Sequence, residues 1–317
     1  MIDTVRGRVA RPWLKGILEN PPEGWEIREG SIMDHEGNTR PHRTAWHIKT
    51  GLWLKGDDIS THVIQVSLPR LVFDENIQLL KSQEDIDHGI QKMRILMREV
   101  MEIDCIPRWT RIDMVWNFKG NINDYIACFQ NSKHPRVRSA VRVYQGESIS
   151  WKGKQVEIQI YDKLKENGAT EIAKDGETIV RAEIRQKVSP DKLHSKGQEQ
   201  PFSLICEPCL GGYKPNFAKA YTFYRNSMVQ LSPKSIPLMC SRSPMDFIAY
   251  LQANQLTDTQ GVPLVDIYLR GKSRATKYRT MREIKNRVIQ HKYINFHQIL
   301  PEEEPPIPVD RSSFKVA

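Results

Sequence analysis

Apolar and polar residues alternate along 110–118 (TRIDMVWNF): Ile112, Met114, Trp116 and Phe118 fall on one side, Arg111, Asp113 and Asn117 on the other, with Val115 the exception among them. A period of two belongs to a strand, whose successive side chains point to opposite faces. The same period recurs in 155–161, where Val156, Ile158 and Ile160 alternate with Glu157, Gln159 and Tyr161. It appears again in 178–187, where Val180, Ala182 and Ile184 alternate with Arg181, Glu183 and Arg185. Two further β-rich runs, 139–144 and 147–151, are punctuated by Gln145-Gly146 and Lys152-Gly153, as in an antiparallel meander. Helical spacing of Ile86, Ile90, Met93, Met97 and Val100 predicts an amphipathic helix packed on a core, and 123–131 also reads as helical. The first 60 or so residues read as short strands broken at Pro21-Pro22 and at Glu36-Gly37-Asn38, and 62–71 as a strand ending at Pro69.

Beyond residue 200 the pattern turns helical, with 214–225 rich in aromatics and 243–253 apolar. Between Val265 and Lys292 nine Lys or Arg stand against two acids. There Tyr278, Met281, Ile284 and Val288 form an apolar stripe, leaving Lys277, Arg279, Arg282 and Arg287 on the flanks of a basic helix. These patterns predict an α+β fold, a mostly antiparallel sheet with helices on one face, followed by a smaller helical basic C-terminal module. The expected boundaries are 1–200 for the sheet domain, 201–296 for the module, and 297–317 for a disordered tail rich in proline and glutamate.

Charge adds a partner class: 47 Lys and Arg against 38 Asp and Glu give +9, which favours a polyanion, nucleic acid first and an anionic membrane second. No run approaches the ~18 apolar residues of a membrane span, so no membrane is expected and the chain reads as cytoplasmic. Five cysteines at irregular spacing argue against a disulfide framework. The one close pair, Cys206 and Cys209, lacks the second pair or the histidines of a zinc site, so a structural role is favoured.

If the alternating strands share a sheet with their apolar sides against helices, Asp113, Tyr161 and Glu183 converge on one polar surface. Two hard carboxylates can hold Mg²⁺ or Mn²⁺, which polarises a phosphate and offsets transition-state charge. The phenol is then a nucleophile, activated by the cation or by Lys163, two residues on and on the same face if the strand continues. Arg111, Arg181 and Arg185 are shaped to grip flanking phosphates. Charged residues on the outer face of a sheet are most often solvated surface, and on pattern alone that plainer reading carries more weight.

The landmarks Met1-Ile2-Asp3, Val66-Ser67-Leu68-Pro69-Arg70-Leu71, Arg111-Ile112-Asp113, Ile160-Tyr161-Asp162-Lys163, Arg181-Ala182-Glu183 and the basic helix near 278–287 stand in this order along the chain. In that order the chain resembles the gene II/X replication initiators of filamentous phages and, more distantly, plasmid rolling-circle initiators. The resemblance implies that Tyr161 nicks the plus-strand origin, leaving a 5′-phosphotyrosine and a free 3′-hydroxyl. It implies Asp113 and Glu183 as ligands of Mg²⁺ or Mn²⁺, and a host helicase and polymerase as partners. None of the nine histidines forms the His-hydrophobic-His motif of many initiators, and Asp74-Glu75-Asn76 stands where Gly-His-Asn is expected. A carboxylate-dominated site follows, which His62 or His134 could approach. Two other readings compete: a basic DNA-binding regulator without chemistry, and, last, a tyrosine recombinase, whose His-x-x-Arg box is not visible.

Overall fold

The computed structural model describes residues 1–10, 12–33, 36–56, 62–101, 104–130, 132–137, 141–144, 146–166, 178–187, 202–231, 244–258, 260–285 and 294–300. In chain order the elements are β1 (Ile2–Val9), β2 (Trp25–Met33), β3 (Thr39–His47), β4 (Trp53–Gly56), β5 (His62–Ser67), α1 (Leu68–Phe73), α2 (Gln83–Val100), β6 (Arg108–Gly120), α3 (Ile122–Phe129), β7 (Arg142–Tyr144), β8 (Ser148–Lys152), β9 (Val156–Asp162), α4 (Lys163–Glu166), β10 (Thr178–Lys187), β11 (Cys206–Cys209) and β12 (Gly212–Pro215). The helices α5 (Phe217–Met228), α6 (Pro244–Ala253), α7 (Leu264–Leu269), α8 (Arg274–Lys285) and α9 (Phe296–Ile299) complete the set.

Ten strands form one sheet in the order β2-β3-β4-β5-β1-β6-β10-β9-β8-β7, antiparallel at every pairing, and β11 and β12 form a separate hairpin. The fold is therefore α+β, built on a large antiparallel sheet. The first strand of the chain lies in its middle, between β5 and β6, with register shifts against β6 at Ile2/Val5 and Arg6/Gly7. One side of the central strands carries Ile112, Met114, Trp116, Ile158, Ile160, Val180, Ala182 and Ile184. All eight join a single hydrophobic core with Ile90, Met93 and Met97 of α2, Ile126 and Phe129 of α3, and Tyr224 and Met228 of α5. The Tyr224 hydroxyl donates to the Ile112 carbonyl at 2.6 Å, which removes the cost of burying a phenol there.

Helix α2 begins with a capping box, in which the Ser82 side chain accepts from Asp85 N and the Asp85 carboxylate accepts from Ser82 N. The run 62–71 does not end as a strand at Pro69. The strand stops at Ser67 and Pro69 sits in the first turn of α1, where a missing N–H costs nothing. After α1, Asp74 adopts a left-handed conformation (φ 63°), which Asp tolerates better than most residues, and turns the chain back over the sheet.

The stretch 201–296 is shared between two cores. Cys206, Ala220, Tyr221, Tyr224 and Met228 belong to the main core. Ile248, Ala249, Leu251, Val265, Leu269 and Ile284 of α6, α7 and α8 form a smaller cluster of their own. Where a disordered tail is expected from 297, α9 continues to Ile299, and Leu300 is fully buried in the main core with Phe296; 301–317 lie outside the described residues. No helix among the described residues is long and apolar enough to cross a membrane.

Candidate active site

Cross-strand register decides which side chains meet. Asp113 on β6 lies opposite Arg185 on β10, and Arg185 lies opposite Glu157 on β9; Arg181 faces Tyr161, and Glu183 faces Gln159. The three residues singled out by alternation, Asp113, Tyr161 and Glu183, thus share one face. The Tyr161 hydroxyl donates to Glu183 Oε2 at 3.3 Å. Arg185 Nε donates to Glu183 Oε1 at 2.6 Å and lies 3.9 Å from Asp113 Oδ2, while its NH1 reaches Glu157 Oε1 at 3.4 Å. Arg111 Nε donates to Asp113 Oδ1 at 2.8 Å and Oδ2 at 3.0 Å, and its NH2 also bonds Oδ2. Lys187 Nζ, at 2.8 Å, completes the chain on Glu157.

This face is less open than the alternation suggests. Asp113 is fully buried, Glu183 is 4% exposed and Tyr161 7% exposed. Carbonyls of the segment after α1 seal one end: Asn117 Nδ2 donates to Ile77 O at 2.8 Å, and Arg181 NH2 donates to Asn76 O at 2.6 Å and Ile77 O at 3.2 Å. Ile77 packs with Leu164 and Ile179 over that end. Arg181, expected to grip a phosphate, is instead wholly buried; its Nε donates to Asn117 Oδ1 at 2.8 Å, and its NH1 has no hydrogen-bond partner among the described residues.

Burial, and then the Glu183 charge, hold the Tyr161 phenol well above its ordinary pKa of 10, with Arg181 opposing, so the hydroxyl is protonated and a donor at neutral pH. Burial also lifts Asp113, to about 7; Arg111 opposes the rise and the Glu183 charge adds to it. Burial would lower the Arg185 guanidinium, but Glu183, with Asp113 and Glu157, outweighs it and raises the group.

Lys163 does not continue the strand. Asp162 ends β9, and its Oδ1 accepts from Leu164 N at 3.0 Å, Lys165 N at 3.1 Å and Thr178 Oγ1 at 2.8 Å, which caps α4. From α4 the Lys163 ammonium sits 5.8 Å from the centre of the Tyr161 ring and bonds Glu166, buried to 2% exposure. Burial and then Arg181 lower its pKa.

Asp113 and Glu183 supply the hard oxygens that Mg²⁺ or Mn²⁺ prefers, and both lie within 4 Å of one Arg185 nitrogen. The donor chemistry fits a divalent cation, but Arg185 already occupies the bridging position, so the two groups are alternatives there. No three of His, Cys, Asp and Glu converge as metal ligands among the described residues. His62 packs edge-on against Trp13, centroids 4.9 Å apart, and His134 bonds Ser227 O at 3.0 Å. Cys206 is buried, its thiol pushed up to about 12.

On α8, Lys277, Arg279 and Arg282 are exposed, and Arg287 lies outside the described residues. Ile284 is buried and Met281 half-buried against the smaller cluster, but Tyr278, expected in that stripe, is 73% exposed among the cations. Glu157 is a third acid of the network, bonded to Arg185 and Lys187, and its place in the alternation of 155–161 is the sequence signal that marks it. The chain matches no family model and no curated protein sequence.

Proposed function

We propose that the protein nicks one strand of DNA by attack of Tyr161 on a phosphodiester, as a rolling-circle replication initiator does. The observation that carries this reading is the hydrogen bond from the Tyr161 phenol to the Glu183 carboxylate, on a face that also holds Asp113 and two arginines. A phenol with so high a pKa is a poor nucleophile until a base takes its proton, and Glu183 Oε2 stands where that base is needed.

In the proposed step the Tyr161 proton passes to Glu183 as the phenolic oxygen bonds to phosphorus. The bond from phosphorus to the 3′ oxygen breaks, and that oxygen takes a proton from solvent. The products are a 5′-phosphotyrosine and a free 3′-hydroxyl, and the covalent link conserves the energy for rejoining. Asp113 and Glu183 would hold Mg²⁺ or Mn²⁺, which when bound polarises the phosphate and offsets its developing charge. Arg185, once released from Glu183, is a guanidinium free for a neighbouring phosphate, and Arg111 can do the same at the edge of the face. The exposed cations of α8 would hold flanking DNA. By the gene II/X resemblance the partners are origin DNA, a host helicase and a polymerase, and the setting is a bacterial cytoplasm.

The test is incubation with supercoiled origin plasmid and Mn²⁺. The wild type should convert it to open circles with protein on the 5′ end, and Tyr161→Phe should abolish both. One observation favours a second reading, a basic DNA-binding regulator: Tyr161 is 7% exposed and both acids are bonded to arginine, as a purely structural network would be. A wild-type protein that binds the plasmid but never nicks it selects that reading.

A further inference from the structure

The face that carries Tyr161 does not end at β10. Register pairs Lys187 with Arg111, Arg111 with Arg6, Arg6 with Gln65, Gln65 with Trp53 and Trp53 with Trp46. These six side chains form one row across the neighbouring strands β10, β6, β1, β5, β4 and β3, and at ~4.8 Å between strands the row is about 24 Å long. A second row beside it holds Thr44, Lys55, Val63 and Arg8. The other side of β2 to β5, with Ala45, Leu54 and Ile64, faces the core, so these rows lie on the outer side. Trp46 is 48% exposed, and Trp53 is half-buried.

We propose that this outer row is a binding track for single-stranded DNA that leads to the nicking residues, with Trp46 and Trp53 as a stacking platform for bases and Arg6, Arg111 and Lys187 as contacts to phosphates. The inference deepens the nicking reading and rests on it for the identity of the strand. Charge supports it. The Arg6 side chain makes no hydrogen bond or ion pair among the described residues, nor does that of exposed Arg8 or half-buried Lys55. Burial, then the Arg111 and Arg8 charges, lower the Arg6 pKa. Arg6, Arg8 and Lys55 gather like charge without counter-ions among the described residues, which costs stability that a polyanion laid along them restores; Arg111 and Lys187 would exchange Asp113 and Glu157 for phosphate. Aromatic exposure decides between single and double strands. A tryptophan ring gains from the free π-face of a base, which a duplex keeps stacked, whereas a single strand offers one at every nucleotide.

The test uses the full chain carrying Tyr161→Phe, so that binding is read without cleavage, and labelled oligothymidine of about 20 nucleotides followed by fluorescence anisotropy. Adding Trp46→Ala or Trp53→Ala should weaken binding about tenfold or more each, while Trp46→Phe, which keeps a ring, should stay within about threefold of the parent. Arg6→Gln should reduce the slope of log affinity against log salt by about 0.7. Affinity for a duplex of equal length should be unchanged by the tryptophan substitutions. Oligothymidine binding that survives both alanine changes overturns the track, as does an equal loss for duplex and single strand, or a Trp46→Phe protein as weak as Trp46→Ala. The two readings separate cleanly. A wild type that nicks plasmid while the tryptophan variants bind normally keeps the nicking reading and sinks the track. Tryptophan-dependent single-strand binding by a protein that never nicks does the reverse.

Discussion

Arg185 is the hinge of the candidate site, and Arg185→Ala tests the electrostatic account directly. Its guanidinium touches Glu183 at 2.6 Å and Glu157 at 3.4 Å and lies 3.9 Å from Asp113, carboxylates that are almost wholly buried. Removing one partner of a buried pair costs about 3–5 kcal/mol, and because the Arg185 side chain is 26% exposed the lower end applies, about 3 kcal/mol. Lys187 still holds Glu157 and Arg111 still holds Asp113, so the fold survives. At about 2–4 °C per kcal/mol the melting temperature should fall by about 6–12 °C near pH 8. The loss should shrink near pH 5. The Asp113 pKa, about 7 in the folded state, lies above its ordinary 3.8, so between those values the folded protein holds the proton that the unfolded chain has released. The contribution of Asp113 to stability is therefore largest at low pH and lost as pH rises through 7. At pH 5 Asp113 is neutral with or without Arg185, whereas at pH 8 the variant buries a charge with one cation fewer. Calorimetry or a dye-based melt at the two pH values reads the difference. Mn²⁺ should then stabilise the variant by about 2.7 kcal/mol at a hundredfold excess over its Kd, and the wild type by less at the same concentration, because Arg185 no longer competes for the bridging position. An equal fall in melting temperature at both pH values would refute the reasoning.

Other consequences are open to measurement. Asn117→Ala strips the acceptor from Arg181 Nε and the donor from Ile77 O, and should cost about 1–3 kcal/mol in urea denaturation; a loss under 0.5 kcal/mol would mean that the segment after α1 is held by other contacts. Burial lowers the His134 pKa below 6.5, although its Ser227 bond opposes this, so as pH falls below 6.5 the unfolded chain takes up a proton that the folded one refuses. Stability from His134 is thus full above pH 6.5 and lost on acidification, and His134→Gln should flatten the fall in melting temperature between about pH 7.5 and 5.5. Cys128 and Cys206, both pushed up to about 12 by burial, should resist iodoacetamide at about pH 8 in the native protein, and rapid labelling of either would show that its part of the core opens. Binding of Tyr161→Phe to duplex origin DNA should weaken by about 10³ between about 50 and 200 mM salt if some six phosphates are engaged, and Arg279→Ala should reduce the salt slope by about 0.9; a flat response would leave α8 a solubilising surface.

Alternation sorted Asp113, Tyr161 and Glu183 each to the polar side of its own strand and their apolar neighbours to the other, because a strand's two-residue period is local; that the three sides are one face came from the pairing of β6, β10 and β9. The amphipathic spacing of α2 and the limits of β10 were legible for the same reason. What the sequence left open was every relation between distant segments. It did not place β1 in the middle of the sheet, or join Trp46 and Trp53 to Arg6 and Arg111, since strand order rests on hydrogen bonds between residues far apart in the chain. Nor did it show that Asn76 and Ile77 would close over Asn117 and Arg181, turning an expected phosphate grip into a buried anchor. Periodicity sorts side chains by face, but only the packing of the second layer decides whether that face meets water, an arginine or a strand of DNA.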